Sequence, residues 1–262
     1  MRKFVSIIIS LTLFIYLPQI FASSAYSVGN ASKPLSWYCK HITDEQIPRA
    51  DPEMTFISSL NGYYIDTAAD KYNKTVYLTF DAGYENGNIE KVLDVLKEKN
   101  VEGSFFILEN LVKRNPELVK RMADEGHLVC NHTASHKDIT SFTSRDSLDA
   151  ELKKLENSAL HCAGVEVAKF FRPPEGRFSR QSLEWANELG YKTVFWSFAY
   201  ADWDNNDQMD PDAAYNKIVD GMHPGEILLL HPTSETNRVI LPDLIDTFRA
   251  KGYEFKTLDN LC

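Results

Sequence analysis

From position 75 onward, short β-branched and aromatic runs alternate with longer amphipathic stretches. The runs cover 75–80, 103–108, 127–130, 169–172, 192–199, 226–230 and 253–257, mostly the length of buried strands. Between them apolar residues return at helical spacing: Ile89, Val92, Leu93 and Leu96, then Leu148, Leu152, Leu155 and Ala159. Leu118 and Met122 follow Pro116, which suits a first-turn position. Further helices are marked by Ile218, Val219 and Met222, by Leu241, Leu244, Ile245 and Phe248, and by the segment 182–189. Asn88 and Ser179 stand where N-caps belong. Roughly seven strands alternating with about six helices predict an α/β fold, a parallel sheet wound with helices as a barrel or an open sheet.

Five strings decide between those two. TFDAG (79–83), HTASH (132–136), RPPEG (172–176), ADWD (201–204) and LLLH (228–231) each fall where a strand-like run finishes. In a (β/α) barrel such ends converge on one rim, whereas an open sheet spreads them along an edge. A distorted or incomplete barrel of about seven parallel strands is therefore expected. The strings would bring two carboxylates, three imidazoles and a guanidinium together, a set suited to metal-assisted hydrolysis.

Each residue also has a plainer reading. Asp81 before Gly83 is either a turn aspartate bonding its own backbone or a general base on water. His132 and His136 lie four apart, so a helical turn would bring both imidazoles to one metal; seven histidines in 262 residues can also produce that spacing by chance. Arg172, held extended by Pro173 and Pro174, is costly at an apolar strand end unless a carboxylate meets it, and Asp81 is the natural partner. Such a pairing would hold Asp81 ionised. His231 oriented by Asp202 could protonate a leaving amine, or be a structural histidine. Trp203 is either core or an apolar wall beneath a sugar or acetyl methyl.

The remaining chain adds context. Residues 1–25 carry Arg2 and Lys3, an apolar run and small residues Ala22 to Ala25, the pattern of a secretory signal with an uncleaved membrane anchor as the alternative. Residues 26–72, broken by Pro34, Pro48 and Pro52, read as an extension packed by its aromatic residues on a main domain at 73–262. Net charge is −9, and loss of Arg2 and Lys3 would take it to −11. No basic stripe is present to meet a phosphate backbone, which argues against nucleic acid and for a neutral or zwitterionic substrate. Four cysteines without a CxxC pair are too sparse for a disulfide scaffold, although one or two bridges fit an exported chain. Cys130 beside His132 reads as a small buried hydrophobe rather than a soft ligand.

In order and wording, the five strings resemble the polysaccharide deacetylases, carbohydrate esterase family four. YLTFDAGYENG (77–87), the following segment 88–107 and GHLVCNHT (126–133) resemble in particular the delta-lactam-biosynthetic de-N-acetylase branch. The resemblance implies Asp81 as base, Arg172 as its tether, His231 as acid and Asp202 as the partner of His231. It further implies His132 and His136 as ligands of a divalent metal, zinc in most such sites, and a backbone N–H near Glu175 on the oxyanion. The implied reaction removes the acetyl group of N-acetylmuramic acid in spore cortex peptidoglycan, by a monomer exported to the cell wall. Arg177 is the candidate cation for the lactyl carboxylate of that sugar. One departure matters: Ala82 stands where most of the family place a third metal ligand, so the metal is expected to bind loosely. Two alternatives stay open, a deacetylase of N-acetylglucosamine polymers and a glycan-binding homologue without catalysis.

Overall fold

The computed structural model describes residues 31–261. The expected signal segment lies outside them, as does Cys262. Among the described residues no helix is long and apolar enough to cross a membrane, and Cys39, Cys130 and Cys162 carry free thiols.

The sheet is built round β3 (Thr75–Ala82), which pairs in parallel with β4 (Ser104–Ile107), β9 (Glu226–Leu230) and β10 (Glu254–Phe255). From β4 it continues through β5 (Leu128–Asn131), β6 (Ala168–Phe171) and β8 (Lys192–Val194), all parallel. A single parallel bridge, Phe198 to Leu228, links the segment after β8 back to β9. The result is a curled parallel sheet that closes incompletely, as a distorted barrel. Seven helices run between or beside these strands: α1 (Ile89–Glu98), α2 (Glu109–Arg114), α3 (Pro116–Asp124), α4 (Arg145–Ala163), α5 (Arg180–Glu188), α6 (Pro211–Gly221) and α7 (Glu235–Ala250).

Strand periodicity sets which side chains enter the barrel. Along β3, Val76, Leu78 and Phe80 pack outward with apolar residues of α1 and α7, while Tyr77 points to the interior. Because alternate residues share a face, Thr79 and Asp81 follow Tyr77 inward. The same alternation places Arg172 with interior Phe170, and His231 with interior Ile227. Beneath these polar ends, Tyr77, Phe106, Cys130, Phe170, Val194 and Ile227 fill the barrel, an apolar floor of the kind that closed parallel sheets require.

Three local expectations are corrected. The run 192–199 is not one strand: β8 stops at Val194, where Phe195 N–H donates to Tyr63 O at 2.7 Å, and the chain then crosses so that Ser197 N–H donates to Ile227 O at 3.0 Å. Asn88 precedes α1 but does not cap it, because its side chain donates to Thr233 O; Glu85 accepts the Ile89 N–H instead. Ser179 does cap α5, exchanging hydrogen bonds with Ser182. Residues 31–72 contribute more than packing. Their β2 (Gly62–Tyr63) extends the sheet beside β8, and their β1 (Leu35–Ser36) pairs with β7 (Arg177–Phe178). Trp37, buried, donates its indole N–H to Trp196 O at 2.9 Å and packs on Phe195.

Candidate active site

The strand ends named above enclose one cavity of about 670 Å³, whose wall includes Asp81, His132, His136, Glu175, Trp203 and His231. Arg172 lies directly beneath, fully buried. Its Nη1 donates to Asp81 Oδ1 at 2.8 Å, Nη2 to Thr79 Oγ1 at 2.9 Å and Phe195 O at 3.1 Å, and Nε to Val194 O at 3.0 Å. The guanidinium also lies over the Phe106 ring, 4.2 Å from its centroid. A charge so enclosed is tolerable only with this many partners. Burial pushes the Asp81 carboxyl up, but the charges of Arg172, His132 and His231 outweigh it and hold its pKa below the ordinary carboxylate value. Asp81 is thus ionised at neutral pH.

Opposite stands a second held pair. His231 Nδ1–H donates to Asp202 Oδ1 at 2.7 Å, and the His231 backbone N–H donates to Asp202 Oδ2 at 2.8 Å. Burial disfavours the imidazolium, yet the hydrogen bond and charge of Asp202, with Asp81 adding to them, raise the His231 pKa above its ordinary value. Sequence reasoning missed the residue that completes this arrangement. Asn237, on α7, donates to Asp202 Oδ2 at 2.6 Å and to His231 O at 3.1 Å, and accepts from the Tyr200 hydroxyl. The available signal was Ser234, three residues earlier, which caps α7 through the Asn237 N–H and so fixes where that side chain starts.

His132 and His136 meet, though not on the helical turn expected of them. Their rings lie 5.0 Å apart, edge to face, across a non-helical turn with Thr133 at φ 71° and His136 at φ 58°. Side chains close that turn: Asn131 Oδ1 accepts from Thr133 N–H, and Thr133 Oγ1 from His136 N–H, both at 2.9 Å. His132 Nδ1–H donates to Arg172 O at 2.8 Å, which leaves the Nε2 lone pair facing Asp81 Oδ2 at 3.6 Å. Burial lowers the His132 pKa to about 4, so the ring is neutral at pH 7. Two acceptors therefore confront each other with no proton between them, the setting in which a cation is welcome. Among the described residues no group of three or more His, Cys, Asp or Glu is arranged to hold a metal ion, and the Ala82 methyl is wholly buried.

Glu175 lies in left-handed backbone at φ 56° on the cavity wall. Trp203 is not core: its ring is 61% exposed at the cavity mouth, with its centroid 6.2 Å from that of His231. Cys130 is buried and its thiol is pushed up by burial, as befits a small hydrophobe. Arg177 stands apart from the others. It does not line the cavity but forms an ion pair with Asp138 at 2.8 Å, without hydrogen-bond geometry.

Residues 68–194 match the polysaccharide deacetylase family. The chain is 40% identical over 241 residues to the peptidoglycan-N-acetylmuramic acid deacetylase PdaA of Bacillus subtilis, covering 92% of this chain and 89% of that protein. This chain belongs to the polysaccharide deacetylase family. A solved structure of Bacillus subtilis PdaA, described as a family 4 carbohydrate esterase, superposes with a TM-score of 0.83 at 39% identity over 88% of this chain and 97% of that one. A second polysaccharide deacetylase relative, the peptidoglycan-N-acetylglucosamine deacetylase of Bacillus cereus, is 34% identical over 72% of this chain and 69% of its own length.

Proposed function

We propose that this chain hydrolyses the acetamide of N-acetylmuramic acid in peptidoglycan, releasing acetate and a free amine from which a muramic lactam can form in spore cortex. The observation that carries the reaction class is the pair of held groups on one cavity, an ionised carboxylate tethered by Arg172 and a protonated imidazole tethered by Asp202. The choice of muramic acid rests on the relative named for that substrate. A peptidoglycan substrate implies export from the cytoplasm, in keeping with the signal pattern of residues 1–25.

In this reading Asp81 removes a proton from the attacking water, and Arg172 keeps it ionised and aimed while the carbonyl carbon becomes tetrahedral. His231, charged at neutral pH, then protonates the nitrogen as the C–N bond breaks. Asp202 and Asn237 hold the imidazole at the angle this needs. The backbone at Glu175 is the nearest candidate to donate to the developing oxyanion. Trp203 covers the methyl side of the acetamide. His132 and His136 would hold a divalent cation, whose chemistry is to polarise the carbonyl oxygen as a Lewis acid. Two imidazoles without a third protein ligand suit weak rather than structural binding. Calorimetric titration should show weak zinc binding that His132→Ala removes; no binding to the unaltered protein, with full activity after chelation, overturns that part.

Mass spectrometry of peptidoglycan fragments before and after incubation with pure protein tests the whole reading. Loss of one acetyl group assigned to muramic acid is the expected result. Loss from glucosamine would instead favour the second reading, for which the 34% identical relative speaks. No loss from either sugar would leave the glycan-binding alternative, to which Ala82 alone points.

A further inference from the structure

Two large side chains stay exposed at the cavity mouth, Tyr84 at 44% and Trp203 at 61%. Their loops are tied to each other. Asn205 Nδ2 donates to the Tyr84 hydroxyl oxygen at 2.6 Å, joining the loop after β3 to the long loop after β8. Each loop is braced again from behind. Asn86 and Asn88 both donate to Thr233 O, at 2.8 and 3.0 Å, while the Glu85 carboxylate accepts the N–H groups of Gly87 and Ile89. On the other side Gln208 Nε2 donates to Asp204 O at 2.7 Å and to Asp202 O at 3.2 Å. Two rings are thus kept in fixed positions beside solvent, beyond what solubility or core packing asks, and such apolar faces rimmed by polar groups mark ligand surfaces.

Resting on the deacetylase reading above, we infer that Tyr84 and Trp203 are sugar platforms that grip the residues of a glycan strand flanking the one whose acetamide enters the cavity. The C–H face of a pyranose is apolar and flat enough to lie on an aromatic ring, while its hydroxyls need polar partners at the edge. Tyr84 offers both. Its oxygen accepts from Asn205, so the phenol proton is left to donate outward to a sugar oxygen. Asn205 acts as a positioning residue, setting the pitch of the Tyr84 ring. The predicted consequence is a preference for chains over single units, expressed in KM.

The test compares a peptide-free tetrasaccharide with a disaccharide, both cut from peptidoglycan, using acetate release and calorimetric binding. Tyr84→Ala should lower the tetrasaccharide-to-disaccharide ratio of kcat/KM about tenfold, mainly through KM. Tyr84→Phe, which keeps the ring, and Asn205→Ala, which keeps Tyr84 but loosens it, should each lower that ratio about threefold. Equal losses on both substrates in Tyr84→Ala would overturn the platforms. Should the unaltered protein release no acetate from either, the deacetylase reading fails, and calorimetry still judges the platforms. Tetrasaccharide binding weakened about tenfold by Tyr84→Ala supports them; binding that is absent, or unchanged by the substitution, rules them out.

Discussion

Strand β9 has a carboxyl and a histidine at each end, and the two pairs are built to opposite purposes. At its start Glu226 lies 4.0 Å from His223, both buried. At its far end His231 meets Asp202 at 2.7 Å, with the imidazole partly open to the cavity. Glu226 receives one long hydrogen bond, from His223 N–H at 3.3 Å, and its Oε1 has no hydrogen-bond partner. Burial therefore raises its pKa well above the carboxylate range, and burial likewise lowers that of His223. His223 spends both nitrogens on neutral partners, Gly221 O and Ser197 Oγ, each at 2.8 Å. Asp202 instead accepts from His231 twice and from Asn237 once. The same two residue types are neutral at one end and form a charged couple at the other. What differs is the number of donors aimed at the carboxylate.

The largest expected contrast is kinetic. Asp81→Asn and His231→Ala should each reduce kcat for acetate release by at least about a hundredfold, and near-normal turnover in either would break the assignment. Next comes stability. Replacing Arg172 with Lys leaves carbonyls, Thr79 and Asp81 short of donors that a planar fork supplied, so urea denaturation should show a loss of about 3 kcal/mol; a change below about 1 kcal/mol would mean the buried pair is not what holds this end of the barrel.

A smaller effect sharpens the comparison directly. His231 must be protonated to act, and its pKa is raised, so activity should persist above the ordinary imidazole range and fall as pH rises through the raised value. Asp202→Asn removes the main raising cause, so the alkaline limb should move to lower pH, with about a tenfold loss in kcat at the alkaline end. An unmoved limb would detach Asp202 from the proton. Smallest of all is Glu226→Gln, since the amide imitates an acid that is already neutral. At pH 7 stability should change by less than about 1 kcal/mol. The sign appears at higher pH: a carboxyl with a raised folded pKa contributes most below its unfolded value and loses that contribution as pH climbs to the folded one. The unaltered protein should therefore lose stability toward alkaline pH relative to the Gln variant, and parallel curves would show that Glu226 is already ionised.

Much of this was legible from residue pattern. The β-type runs fell on real strands because parallel strands buried on both faces are nearly continuous in apolar residues. The Asp81–Arg172 contact was legible because an arginine at an apolar strand end needs a carboxylate. Elements made by distant backbone were not. Strand β2 has two residues, too few for any periodicity, and exists because Tyr63 O and Asn61 O meet N–H groups of Phe195 and Thr193. Its Gly62 is required by contact: a Cβ there would come within 2.3 Å of Ile57 Cγ2. Helix α2 begins after Leu108, which has no capping oxygen, so nothing local announced it. The HTASH turn looked helical by spacing, but the side chains of Asn131 and Thr133 close it with backbone in the left-handed region, which spacing does not encode. Asn237 escaped notice because its role depends on Asp202, 35 residues away.

The claim that environment rather than residue type makes His231 the acid is tested most directly by an NMR titration of the histidine imidazoles, assigned through His231→Ala and His223→Ala. The account predicts that His231 titrates above the ordinary imidazole value and that His223 stays neutral until well below it. A His231 that loses its proton below that value, or a His223 that holds its proton as long as His231 does, would contradict it.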